Sequence, residues 1–214
     1  MAIEAVVFDW DGLVVDTENA WFQACQRVCA PHGVIITEEH RQDLMRSQLS
    51  AYLIDTFGLP VELEEFRPSL YAARDEILGG TVPLLPGATD SIDCLGSAMP
   101  LGVGTGARTF QVEGELAQLN LRDKFKAVVA ADQVKRPKPE PDIYLEAANR
   151  LSVEPSDCVV LEDQPKGIKA AKAAGMICIA VPNKYLKGAD YSEADVVVPH
   201  LGLVTVEFVQ RLVS

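Results

Sequence analysis

The 214-residue sequence is short of positive charge: 19 Lys and Arg stand against 31 Asp and Glu, a formal net charge of −12. Such a balance repels phosphate backbones and anionic bilayers, so neither a nucleic acid nor a membrane is an expected partner. No apolar run approaches the length of a bilayer span, and the N-terminus has neither the basic start nor the cleavage site of a signal peptide. A soluble, cytoplasmic protein is therefore expected. Cysteine is scarce and odd in number, five in all, with no Cys-x-x-Cys spacing, which argues against a disulfide framework. Cys25, Cys29 and His32 fall at helical spacing, but Pro31 intervenes and a tetrahedral metal site would lack a ligand. Buried thiols are the expectation there. Internal repeats and low-complexity tracts are also missing. What is present is an apolar content of 48%, ordinary for a globular chain with a sizeable core.

The chain is organised around its start. Ala5-Val6-Val7-Phe8 reads as a strand buried on both faces, and it breaks into Asp9-Trp10-Asp11-Gly12. Ligands of open α/β sheets bind beyond the carboxyl ends of strands, where these aspartates fall. Two carboxylates so close repel unless a cation or proton resolves the conflict, and Gly12 lets the backbone turn sharply beside them. Asp-x-Asp-Gly alone also fits a solvated turn. Trp10 alternates to the other side and is read as packing, and Asp16 as fixing the turn that follows.

Asp16 or Thr17 is expected to cap a helix over 20–30, which Pro31-His32-Gly33 stops. Further helices are expected from Thr37, over 46–57 and over 62–78 despite Pro68, with no strand among them. Gly79 to Gly87 reads as a linker. Beyond it the pattern alternates, with strands expected at 99–104, 127–130, 158–161, 176–181 and 196–198. Helices are expected at 88–98, 107–119, 142–151, 164–174 and 204–213. This predicts an α/β fold, a doubly wound, mainly parallel sheet built from 1–16 and 82–214, with a helical domain inserted at 17–81.

Four places then fall just after strands: Asp9 with Asp11, Thr105-Gly106, Lys138 in a Pro-rich loop, and Glu162-Asp163. In a parallel sheet they share one edge and could converge. Carboxylates with a backbone carbonyl make an oxygen site for Mg²⁺. Lys138 supplies positive charge, and the Thr105 hydroxyl with the amides of Gly106 and Ala107 would open a helix N-terminus suited to phosphate. Singly, each has a plainer reading. Thr105-Gly106 fits a strand-to-helix turn, Glu162-Asp163 a helix start, and Lys135 competes with Lys138 for the phosphate role.

Taken together, Phe8-Asp9-Trp10-Asp11-Gly12-Leu13-Val14-Val15-Asp16-Thr17, Val103-Gly104-Thr105-Gly106, Lys138-Pro139-Glu140-Pro141-Asp142 and Leu161-Glu162-Asp163-Gln164-Pro165-Lys166-Gly167 resemble the haloacid dehalogenase superfamily. The resemblance is to its capped phosphatase and phosphomutase branch, with a Rossmann-like core. It implies that Asp9 is the nucleophile that forms an aspartyl-phosphate and Asp11 the general acid and base. It implies that Asp9, Asp163 and the Asp11 carbonyl hold Mg²⁺, with Glu162 direct or through water. Thr105, Gly106, Ala107 and Lys138 would hold the phosphoryl oxygens. The second aspartate, Asp11, argues for phosphate chemistry over carbon–halogen cleavage.

The β-phosphoglucomutase group carries a cap histidine near the position held here by Trp21, which argues for a phosphatase over a mutase. Arg46, Arg108 and Trp21 are candidate contacts for the rest of the substrate. The expectation is thus a Mg²⁺-dependent phosphatase of a small phosphorylated metabolite, a sugar phosphate or phosphoglycolate-like ester. A sugar phosphomutase and a catalytically idle phosphate-binding module are the alternatives, and no protein partner is implied.

Overall fold

The computed structural model describes residues 2–45 and 48–213. By its internal contacts the chain divides into two compact units, Met1–Asp16 with Pro83–Ser214, and Thr17–Val82. The first is a sheet unit. Its strands are β1 (Ala5–Phe8), β2 (Leu101–Gly104), β3 (Ala127–Val129), β4 (Cys158–Glu162), β5 (Ile177–Ala180) and β6 (Val196–Val197). They lie in the order β3-β2-β1-β4-β5-β6, every pairing parallel. Central β1 pairs Phe8 with Val103 on one side and with Leu161 on the other. Because β1 and β4 are neighbours while the chain proceeds outward on both sides, the order reverses between them. That crevice is where an open α/β sheet receives its ligand.

Strands β1 and β4 are buried at every residue, which is why they read as continuous apolar runs rather than alternating ones. The helices of this unit are α5 (Ala88–Gly96), α6 (Thr109–Gln118), α7 (Asp142–Leu151), α8 (Pro165–Ala173) and α9 (Val206–Arg211); α1 to α4 belong to the helical unit below. Helix α7 buries Ile143, Tyr144, Ala147, Ala148 and Leu151, one stripe at helical spacing, in a core shared with Val7, Val129, Val160 and Ile168. Trp10 is fully buried and meets Phe125 edge-on.

The helical unit contains α1 (Glu18–Cys29), α2 (Arg41–Leu44), α3 (Leu49–Phe57) and α4 (Leu63–Leu78), and no strand among its described residues. Its core gathers Phe22, Cys25, Cys29, Leu44, Leu53, Phe66 and Leu70. Cys25 and Cys29 are therefore apolar packing, while His32 is exposed. Pro68 sits inside α4 without ending it.

Two local expectations are corrected. Thr17 makes no side-chain cap to α1, because its backbone is already helical (φ −99°, ψ −8°) and a capping residue needs an extended one. Asp16 instead pairs with Lys184 at 2.6 Å and donates its N–H to Pro83. Helix α6 begins at Thr109 rather than Ala107, for a reason that belongs to the site. Among the described residues no helix is long and apolar enough to cross a membrane.

Candidate active site

Asp9 extends β1 by one rung, its N–H donating to the Leu161 carbonyl at 2.9 Å. The chain then curls, with the Trp10 carbonyl accepting from the amides of Leu13, Val14 and Val15. The Trp10 indole N–H donates to the buried Glu115 carboxylate of α6, so the loop is anchored from below. Asp9 is left buried and Asp11 half-buried at the rim.

Lys138 reaches this point from the loop that follows β3. Its Nζ donates to Asp9 Oδ1 at 2.8 Å and to Glu162 Oε1 at 2.7 Å, with the side chain 4% exposed. Lys135 is exposed. Burial alone would lower the Lys138 pKa, but Asp9 and Glu162 together outweigh it and push it up, so the ammonium stays charged.

Glu162 is saturated. Oε1 accepts from Lys138 and from the Tyr144 hydroxyl at 2.9 Å, while Oε2 accepts from the amides of Asp163 and Gln164, both at 2.8 Å. Burial raises its pKa against the pull of Lys138. Four donors approach the limit of a carboxylate's lone pairs. Of the two contacts that the resemblance allows, direct or through water, a direct one would have to displace a donor. The two amides precede α8, whose N-cap is Gln164 with no side-chain cap, so Glu162 does not cap that helix. Gly167 makes room for it, because a Cβ there would lie 1.5 Å from Glu162 Oε1.

Tyr144 escaped the sequence reading. Burial first, then the neighbouring Glu162, raises its pKa well above the usual value, so it remains a neutral donor. Its ring lies 4.7 Å from Lys138 Nζ, a cation–π contact added to the hydrogen bond.

Asp163 is fully buried, and ligand oxygens of Asp9, Glu162 and Asp163 lie within 4.8 Å of one another. The acids Asp9, Asp11, Glu162 and Asp163 outnumber the one ammonium of Lys138, and such crowding is relieved by a cation. An all-oxygen set of this kind fits a hard divalent ion.

At the end of β2, Thr105 is buried and its N–H continues the sheet to the Val129 carbonyl. Its Oγ1 accepts from the Ala107 N–H at 3.0 Å, which leaves the hydroxyl proton to be donated outward. This corrects the expectation for Ala107, whose amide is committed inside the turn rather than offered to an anion. The helix start has its own anion too. Asp132 Oδ1 accepts from the Thr109 N–H at 2.9 Å and its hydroxyl at 2.8 Å, and Arg108 lies 4.0 Å from Oδ2. Burial works against it, but the Thr109 hydrogen bonds and Arg108 hold the Asp132 carboxyl below its ordinary value. Gly106 is exposed between these two turns.

In the helical unit, Trp21 is half-buried, with Tyr71 edge-on at 5.1 Å and the Arg74 guanidinium 5.1 Å from its ring. Arg46 lies outside the described residues.

Comparison with known proteins agrees with this geometry. The family model for haloacid dehalogenase-like hydrolases matches residues 6–181. The "Phosphorylated carbohydrates phosphatase" of Thermotoga maritima is 32% identical, over 81% of this chain and 82% of its own. "Fructose-1-phosphate phosphatase YqaB" of Escherichia coli is 36% identical, over 82% of this chain and 95% of its own. A variant of CbbY from Rhodobacter sphaeroides, solved in complex with xylulose-(1,5)bisphosphate, superposes with a TM-score of 0.85 at 27% identity, covering 94% of this chain and 96% of that one. The chain belongs to the haloacid dehalogenase-like hydrolases, in the branch that holds β-phosphoglucomutase and the sugar phosphatases.

Proposed function

We propose that the protein is a Mg²⁺-dependent phosphatase that hydrolyses a small phosphorylated sugar through an aspartyl-phosphate on Asp9. The observation that carries this reading is the Lys138 ammonium held between Asp9 and Glu162, with Asp163 beside them, at the crevice between β1 and β4. A carboxylate nucleophile needs to be fixed in place, and Lys138 does that for Asp9. An ammonium has three donors; two go to the carboxylates, and the third is the one for a phosphoryl oxygen.

In this mechanism an Asp9 oxygen forms a bond to phosphorus as the bond from phosphorus to the sugar oxygen breaks, and Asp11 gives that oxygen its proton. Asp11, now ionised, takes a proton from water as the water oxygen attacks phosphorus, and the bond to Asp9 breaks to release inorganic phosphate. The Thr105 hydroxyl proton and the Gly106 amide hold phosphoryl oxygens as charge shifts among them. Asp9, Asp163 and the Asp11 carbonyl would hold Mg²⁺, which when bound would supply charge neutralisation between the anionic nucleophile and the anionic ester. The sugar class follows from the names of relatives, two of which are phosphatases of phosphorylated carbohydrates.

Phosphorus NMR on a mixture of sugar phosphates and phosphoglycolate, with Mg²⁺ and then with excess chelator, tests this. Inorganic phosphate should appear only with Mg²⁺, and the vanishing ester names the substrate. Glucose 6-phosphate formed from β-glucose 1-phosphate would overturn the reading in favour of a mutase. Hydrolysis undiminished by chelator would overturn the metal's part in it.

A further inference from the structure

Beyond the residues already assigned roles, Asn183 bonds to one of the same acids, Asp163. Asn183 stands three residues past β5, in a loop kept beside β4 by the bond from Val181 N–H to the Glu162 carbonyl at 2.7 Å. It is buried, and each of its polar groups is engaged. Its Oδ1 accepts from the Tyr185 N–H at 2.9 Å, which fixes which end of the amide is the donor. Its Nδ2 then donates to Asp163 Oδ2 at 2.7 Å. Its main-chain N–H donates to the Tyr191 hydroxyl at 3.3 Å, and that hydroxyl donates to the Asp163 carbonyl at 3.2 Å. Side chain and main chain of Asp163 are thus both tied to one loop.

The loop carrying Asp11 closes the other side. Gly12 has φ +85°, and a Cβ there would lie 2.3 Å from Asp163 Oδ2 and 2.4 Å from Asn183 Nδ2. The hydrogen bond is therefore packed directly against the Asp-x-Asp-Gly backbone, where a side chain at position 12 would displace it.

We propose that Asn183 is a positioning residue that holds the Asp163 carboxylate in the orientation from which it binds the divalent ion. The inference rests on the metal site proposed above. Asp163 lies among the like charges of Asp9 and Glu162, which would rotate it away. A neutral amide opposes that rotation without a rival positive charge, as a lysine would bring, and without a further negative charge, as an aspartate would. Orienting partners of this kind are worth about 10- to 100-fold in metal affinity.

The test is calorimetric titration of Mg²⁺ into the full chain, alongside steady-state rates as a function of Mg²⁺. Asn183→Ala should raise the Mg²⁺ dissociation constant by about 10- to 100-fold, while saturating Mg²⁺ restores most of the rate. Tyr191→Phe keeps the volume and removes the hydroxyl that joins Asn183 to Asp163, so it should raise the constant severalfold even if the alanine variant fails to fold. Asp163→Asn is the reference. If it abolishes Mg²⁺ binding while both other variants bind as the wild type does, Asn183 has no positioning role. If Asp163→Asn itself binds Mg²⁺ normally, the underlying metal site is overturned. A rate loss in Asn183→Ala that no Mg²⁺ concentration restores, with binding unchanged, would also sink the proposal.

Discussion

The two units of this chain each have an apolar core and differ in what accompanies it. In the sheet unit, polar side chains are buried in a cross-linked set: Asp9 to Lys138, Lys138 to Glu162, Glu162 to Tyr144, and Asp163 to Asn183, each at 2.9 Å or less. In the helical unit the core is Phe22, Cys25, Cys29, Leu53, Phe66 and Leu70. Among its polar side chains, Asn19, Gln23, Gln26, Arg27 and Arg41 line an open cleft of about 650 Å³. A network of charges fixes each member through the next, so one change propagates. Apolar packing asks only for volume and pattern, and leaves the polar face of such a unit able to vary.

The sharpest way to break this contrast is Asp9→Asn. The amide oxygen can still accept from Lys138, so the chain should fold, yet the attacking carboxylate is gone. Turnover should vanish while the thermal midpoint moves little. Full activity would remove Asp9 from the mechanism and leave the network without a purpose.

Lys138→Met should strike activity and stability together. The rate should fall about 10²- to 10³-fold, as for loss of one preorganised donor. Asp9 and Glu162 would be left buried without their countercharge, which costs about 3–5 kcal/mol in urea unfolding. Lys135→Met, on the exposed side of the same loop, should stay within about 0.5 kcal/mol of wild type. Equal effects at the two positions would show that the loop, not the ammonium, is what matters.

Much of this architecture is legible in the order of residues alone. A strand buried on both faces shows itself as an apolar run, and parallel strands share one carboxyl edge, so residues just after strands are expected to converge. Asp9, Lys138, Glu162 and Asp163 are brought together at that edge. Asn183, three residues past β5, is not among the four places singled out, although the same rule extended to that strand end reaches it. Tyr144 is harder to read. Its place on the buried stripe of α7 suggests packing, and only the position of Glu162 reveals that the hydroxyl has a partner. The commitment of the Ala107 amide is equally hidden, because a threonine two residues earlier captures it by a local bond that competes with helix geometry. Side-chain commitments of that kind depend on rotamers, which sequence spacing does not specify.

Tyr144→Phe isolates one link of the network with the ring retained. Its contact with Lys138 should persist, while Glu162 loses one of its four donors. A hydrogen bond to a charged group is worth about 1.5–3 kcal/mol, and urea unfolding should lose that amount. The rate should fall by less than Lys138→Met costs it. A loss as large as that of Lys138→Met would mean that Tyr144, not the ammonium, holds Glu162 in place.

The smallest effect tests the apolar side of the comparison. Burial pushes Cys29 up to about 11 from an ordinary 9.0, and burial, then neighbouring Cys29, raises Cys25 further. A thiol whose folded pKa is raised gives stability that is fully present below about pH 9 and lost as pH rises through about 11. Unfolding free energy should therefore decline across that window, and Cys29→Ala should flatten the decline while lowering the plateau. At neutral pH a thiol reagent should modify the half-exposed Cys94 quickly, and Cys25, Cys29, Cys158 and Cys178 only on unfolding. If Cys25 and Cys29 react as fast as Cys94 while Cys158 and Cys178 stay protected, the helical unit opens on its own. The network would then be the only rigid part of the chain, a stronger version of the contrast than packing alone predicts.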